Sequence, residues 1–198
     1  RSRKRLTVFT AGAGLLFFLL FFSGSTTVSY AAGPPRLPAF GTGPVEVRIY
    51  TDYFCGPCRA EESEVTALIT ELVEKNLIRV VFIDTPIHRE TVLYAGYFLS
   101  ALNAKEGGDL RLAVAVRAAL FEAATQKIAD KKALELFLKK KGIALRPFDT
   151  APVFKIYGNY LQEDRINATP TCVIVAPQGK QTLVGKEDTV KALRKLLK

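Results

Sequence analysis

Tyr50-Thr51-Asp52-Tyr53-Phe54-Cys55-Gly56-Pro57-Cys58-Arg59 lies between two unlike periodicities. Upstream, Val45, Val47 and Ile49 alternate with Glu46, Arg48 and Tyr50, the period of a strand over Val45–Thr51. Downstream, Val65, Leu68, Ile69, Leu72 and Val73 recur at i, i+3, i+4, i+7 and i+8, one face of a helix from about Gly56 to Lys75. Glu61, Glu62 and Glu64 fall toward the start of that helix, where negative charge suits its dipole. The Cys-x-x-Cys pair therefore sits where a strand gives way to a helix, and thiol chemistry needs such a place. The attacking species is a thiolate, and a helix start offers it free N–H groups and the positive end of the dipole. Cys58 returns to the same side one turn later, within reach of a mixed disulfide on Cys55. Pro57 stiffens the first turn, where its missing N–H costs little, and Arg59 adds positive potential.

A zinc site needs four ligands. The remaining candidates are one Cys, one His and scattered acids, with no second Cys-x-x-Cys. A static bridge closing so short a loop would gain little chain entropy. A redox pair remains, with no metal and no cofactor called for.

Outward from this core, Leu77–Ile83 is a β-branched run suited to a strand buried on both faces, which completes a βαβ unit expected to be right-handed. Residues 89–163 read as a helical block. One helix spans about Arg89–Lys105 and stops at Gly107-Gly108. Asp109 caps a second and Asp130 a third, which ends at Gly142 with Ile143 beyond it. A fourth starts near Ala151, with Val153, Ile156, Tyr157, Tyr160 and Leu161 on one face. Thr171–Ala176 and Gln181–Gly185 read as strands joined by a tight hairpin at 177–180, and Glu187–Leu197 as a closing amphipathic helix. The class is α/β, with a helical insertion between βαβ and ββα halves over 45–198.

The chain has 198 residues, 48% of them apolar, and a formal charge of +9. That length suits one substantial domain and a leader. Arg1, Arg3, Lys4 and Arg5 carry much of the excess charge, and no basic block is flanked by aromatics, which argues against a nucleic-acid partner. Those basic residues precede an apolar run, 6–22, and a polar stretch ending Ser29-Tyr30-Ala31-Ala32. Residues 1–31 thus read as a signal peptide cleaved after Ala31, or as an anchor whose run spans about 25 Å of a ~30 Å hydrocarbon core. Either exports the domain. Residues 32–44, rich in Gly and Pro, read as a linker or an irregular lead-in.

Four further features carry bland expectations. Cys172, on a strand, is expected to point into the core as a bystander, with Thr171 pointing the other way, a redox or metal role being the alternative. His88, the single histidine, falls at a loop-to-helix boundary and reads as structural or surface. Tyr53 and Phe54 are a candidate apolar lip for substrate, or ordinary packing. Lys139-Lys140-Lys141 suits a helix C-terminus.

With these residues in view, the chain resembles the DsbA-like branch of the thioredoxin superfamily. The resemblance rests on 51–59, on Ile83-Asp84-Thr85-Pro86-Ile87-His88, and on Asn167-Ala168-Thr169-Pro170-Thr171, and it covers about 45–198. It implies a thioredoxin-like fold and a protein disulfide oxidoreductase. It also implies a cis peptide bond at Pro170 beside the cysteine pair, and backbone at Thr169 offered to an extended substrate. Phe54, Gly56 and Pro57 would flank that substrate. Two departures stand out. Phe54 replaces the Trp that thioredoxins carry before the first Cys, and Ile49 stands where many relatives have a buried acid acting as proton relay. The Gly-Pro dipeptide is that of reductants, whereas an exported setting favours oxidation or isomerisation. The implied partners are cysteine-containing protein substrates and a membrane or soluble redox partner that recycles the pair, in the cell envelope or periplasm. Two other readings stay open. One is a copper(I)-delivery module using Cys55, Cys58 and His88. The other is a binding or chaperone domain that does not need its thiols.

Overall fold

The computed structural model describes residues 37–198, so the leader expected over 1–31 lies outside the described residues. In chain order these form β1 (Ala39–Phe40), β2 (Val45–Thr51), α1 (Gly56–Glu74), β3 (Ile78–Asp84), α2 (Thr91–Asn103), α3 (Leu110–Thr125), α4 (Lys131–Lys140), α5 (Ala151–Glu163), β4 (Thr171–Ala176), β5 (Gly179–Val184) and α6 (Lys186–Lys195). The strands make one sheet in the order β1-β3-β2-β4-β5. Central β2 runs parallel to β3 and antiparallel to β4, so its C-terminal end delivers the cysteines to the middle of one sheet edge.

Period-two alternation builds a core on each face of the sheet. Val47, Ile49, Val80, Phe82, Cys172 and Ile174 join residues of α1, α3 and α6 on one face. Tyr50, Val81, Ile83 and Val173 meet Leu99, Val153 and Tyr157 on the other. The alternation in β2 sets direction as expected, but its polar side does not face water. Arg48 and Tyr50 are buried because the end of α5 covers them. Arg48 Nη1 donates to Glu163 at 2.9 Å and to Asp164 at 3.0 Å, and the Tyr50 hydroxyl donates to Asp164.

One element corrects the linker reading. Within 32–44, β1 pairs antiparallel with the edge of β3, Ala39 opposite Val81 and Phe40 opposite Val80. The buried Phe40 ring lies 6.1 Å from that of Phe82. The chain then leaves β1 through Gly41 at φ +88°, where a Cβ would stand 2.5 Å from the Ile78 carbonyl oxygen, so only glycine fits this close approach.

The helical block is bounded as its caps foretell. Asp109 accepts from the Leu112 N–H at 2.7 Å and Asp130 from the Ala133 N–H at 2.9 Å. Gly142 at φ +74° closes α4, and the Ile143 N–H donates to the Leu138 carbonyl at 3.0 Å. Lys141 does more than suit a dipole, since its Nζ donates to Glu122 of α3 at 2.6 and 2.8 Å. Among the described residues no helix is long and apolar enough to cross a membrane.

Candidate active site

Cys55 is the N-cap of α1. Its extended backbone, φ −70° and ψ 119°, leaves Sγ pointing back at the open first turn, where it accepts from the Cys58 N–H at 3.4 Å. The loop below is pinned by the Cys55 N–H donating to the Asp52 carbonyl at 3.1 Å. Cys55 is partly exposed, Gly56 and Pro57 are exposed, and Cys58 is fully buried beneath them. All three cysteines are free thiols. From 114 residues along the chain, the Thr169 carbonyl comes within 3.5 Å of Cys55 Sγ, next to a cis Thr169–Pro170 bond. The structure thus brings Thr169 and Pro170 to the loop that carries Phe54, Cys55, Gly56, Pro57 and Cys58.

Burial pushes the Cys58 thiol up to about 12, and its hydrogen bond with Cys55 adds to the rise, while the Asp52 backbone and the Thr169 hydroxyl pull the other way. Cys58 therefore keeps its proton at neutral pH until a base removes it. Cys172 faces the core beside Ile49, and burial, then the charge of Glu61, holds its thiol near 12 as well. Thr171 points to the opposite face and is also buried there, its hydroxyl donating to the Ala168 carbonyl at 2.9 Å.

Sequence reasoning quoted Asp52 but gave it no role. Fully buried, it accepts from the N–H groups of Phe54 (2.8 Å), Ile87 (3.0 Å) and His88 (2.8 Å). His88 Nδ1 lies a further 3.0 Å from its carboxylate. One side chain thereby ties the cysteine loop to the loop after β3. The bond to Phe54, two residues on, is an Asx turn, the one local signal that marks this residue. His88 is half exposed and belongs to the site's wall, its ring 6.1 Å from that of Phe54. The pair Tyr53 and Phe54 divides. Tyr53 is fully buried against Phe121 at 5.0 Å and cannot form a lip, whereas Phe54 is partly exposed, edge-on to Tyr94 at 4.9 Å.

Glu61, Glu62 and Glu64 of α1 also do more than favour its dipole. Glu62 receives Nε and Nη2 of the fully buried Arg117, each at 2.9 Å, and Nη2 also donates to Thr51 at 3.0 Å. This joins α3 of the insertion to both the cysteine helix and β2. Glu64 pairs with Lys186 and Arg194 of α6, each at 2.9 Å. Glu61 turns inward on the face it shares with Cys58, and its Oε2 has no hydrogen-bond partner in the protein. Burial, then the charge of Glu62, pushes its carboxyl up to about 7. Among the described residues no three His, Cys, Asp or Glu side chains converge as a metal site.

A βαβ unit and a ββα unit sharing one sheet, with a Cys-x-x-Cys helix start facing a cis-proline loop, define the thioredoxin-like class. The chain belongs to the thioredoxin family, whose model, described as Thioredoxin, matches residues 42–198. Among curated proteins none matches it. Solved structures share its fold at low identity. Wolbachia pipientis alpha-DsbA1 is 14% identical with a TM-score of 0.61, over 82% of this chain and 91% of that one. A periplasmic thioredoxin-like protein from Salmonella enterica serovar Typhimurium is 18% identical with a TM-score of 0.59, over 83% and 92%. The catalytic domain of Proteus mirabilis ScsC is 19% identical with a TM-score of 0.59, over 82% and 90%.

Proposed function

We propose that the chain is a protein thiol-disulfide oxidoreductase that works through Cys55 and Cys58 on exported, cysteine-containing polypeptides. The observation that carries this reading is the arrangement at the start of α1. A partly exposed sulfur caps the helix and takes the Cys58 N–H, and its partner thiol is sealed beneath it. The exposed sulfur attacks and the buried one resolves. In the reducing direction Cys55 thiolate attacks a substrate disulfide, giving a mixed disulfide and a released substrate thiolate that takes a proton from solvent. Cys58 then loses its proton and attacks Cys55 Sγ, the mixed disulfide breaks, and the pair is left oxidised. The oxidising direction is the reverse. Glu61, one turn from Cys58 on the same buried face, is the carboxyl available to exchange that proton. Thr169, beside Cys55, offers main-chain groups to an extended substrate, and Phe54, Gly56 and Pro57 border it.

A cell-envelope or periplasmic setting, with a partner that recycles the pair, is supported by the leader-like composition of 1–31 and by the periplasmic thioredoxin-like protein among the fold relatives. Insulin reduction and refolding of a reduced substrate test the reading. Cys55→Ser is expected to abolish both, and equilibration against glutathione sets the net direction. Retained activity in Cys55→Ser would overturn the proposal. So would stoichiometric copper(I) in anaerobically purified protein together with no disulfide exchange.

A further inference from the structure

The surface around Cys55 has an apolar part and a cationic part. Phe54 supplies the first, with Ile87, whose N–H shares the Asp52 carboxylate with that of Phe54 and whose side chain is more than half exposed. Arg59 begins the second, its Nη1 donating to the Phe54 carbonyl at 3.1 Å and so holding an exposed guanidinium beside the residue that precedes Cys55. Arg89 extends it. It follows His88, whose ring borders Phe54, and its side chain is 94% exposed, with a 3.9 Å contact to the partly exposed Glu90. Apart from Glu90, which lies at the far side of Arg89 from His88 in sequence, the neighbouring acids are engaged elsewhere. Asp52 is buried under three backbone N–H groups and His88, Glu61 is buried, and Glu62 is locked on Arg117. What covers such a surface is fixed by the thiol at its centre, which calls for a polypeptide segment bearing a cysteine.

We propose that this site selects cysteine-bearing polypeptides with an acidic side chain next to the reactive cysteine, and that Arg59 and Arg89 read that acid. The inference rests on the disulfide-exchange reading above and adds the chemistry of the substrate. A guanidinium fork matches a carboxylate in two parallel hydrogen bonds, which a point charge would not. Both arginines are exposed, so their effect falls on the encounter rate and is screened by salt.

The test uses two short peptides, each with one cysteine held as a mixed disulfide with β-mercaptoethanol, one flanked by Glu and the other by Lys. Cys55 attacks the peptide sulfur and β-mercaptoethanol leaves as a thiolate. Cys58 then displaces the peptide, reducing it by two electrons as the Cys55–Cys58 bond forms. Acid quench and mass spectrometry give the rates. The Glu peptide is expected to react about tenfold faster at low salt. The ratio should approach one near 1 M salt, where the screening length is about 3 Å. Arg59→Gln with Arg89→Gln should erase the preference, and Arg59→Glu with Arg89→Glu should reverse it. Lys195→Glu, exposed at the end of α6 near the turn between β4 and β5, at the opposite end of β4 from Thr169, should leave the ratio as it was. Equal rates for the two peptides in the unaltered protein, or a ratio indifferent to the two arginines, would overturn the proposal. If neither peptide reacts, the exchange reading itself falls, and this one with it.

Discussion

Arg48 and Arg117 each carry a guanidinium into the interior, on opposite faces of the sheet, and their surroundings differ. Arg48 is met by Glu46 at 2.7 Å, Glu163 at 2.9 Å and Asp164 at 3.0 Å, and it stacks 4.4 Å from the centre of the Tyr160 ring. Lys180 closes the group from the solvent side at 2.7 Å. Burial pulls the Asp164 carboxyl upward, but the bonds from Lys180, Tyr50 and Arg48 outweigh it and hold the group below the usual carboxylate range. Arg117 lies 4.5 Å above the Phe82 ring and is fully paired only toward Glu62 and Thr51. Its Nη1 stands 3.6 Å from Asp84 Oδ1, beyond hydrogen-bond distance. Nη1, both Asp84 oxygens and the Tyr53 hydroxyl have no hydrogen-bond partner in the protein. Burial pushes Asp84 up to about 6, which the charge of Arg117 only partly offsets. Low dielectric strengthens a complete network and penalises an incomplete one. The first cluster is a closed clasp holding α5 to the sheet. The second is underfilled, and it lies under the loop that carries the cysteines.

The largest test of this contrast removes each arginine in turn. Arg117→Met should cost about 3–5 kcal/mol in urea denaturation at neutral pH, because it strands Glu62 and Asp84 with no cation between them. Arg48→Met should cost less, since Lys180 still reaches Asp164 and Glu163 opens to solvent. Equal losses would remove the distinction.

The pH dependence of stability comes next. Asp84 and Glu61 are both raised in the folded state, to about 6 and about 7, so between pH 4 and 7 the unfolded chain releases protons that the folded one retains. Their contribution is complete below pH 4 and is lost as pH rises through those values. Asp84→Asn and Glu61→Gln should each flatten that decline, by roughly 1–3 kcal/mol for the fully buried Asp84 and less for Glu61. Asp164, lowered by its partners, has the opposite sign. It stabilises above the unfolded carboxylate range and fails only in stronger acid. A decline unchanged by both substitutions would contradict the account of the underfilled cluster. Smallest is Lys180→Ala on the partly exposed rim of the closed one, at about 0–1 kcal/mol and shrinking with salt.

What the sequence made legible was set by local rules. β2, α1, β3 and the hairpin follow from periodicity and turn chemistry, and Asp109 and Asp130 announce their helices through caps made within the first turn. The cysteine geometry follows from the strand-to-helix junction. β1 was not legible, because two residues in a Gly and Pro-rich lead-in carry no period and owe their strand to the edge of β3. Glu61 and Glu62 read only as suiting the dipole, and Arg117 carries no role in the sequence, for one reason. A charge in an amphipathic pattern is counted as outward, and only a partner from another element reverses that. The ties of Asp52 to Ile87 and His88 span 35 and 36 residues, which no local pattern reports.

The helical insertion separates the two sheet halves along the chain, although β2 and β4 are neighbours in the sheet. Val47 of β2 must wait for Ile174 of β4, and Cys55 for Thr169, until the helical insertion between them has been made. In a chain emerging N-terminus first, both reactive sulfurs appear long before the wall opposite them, with only the neighbouring β3 in hand to pair with β2. For that interval they are thiols without the Thr169 backbone beside them, which arrives with the last strands.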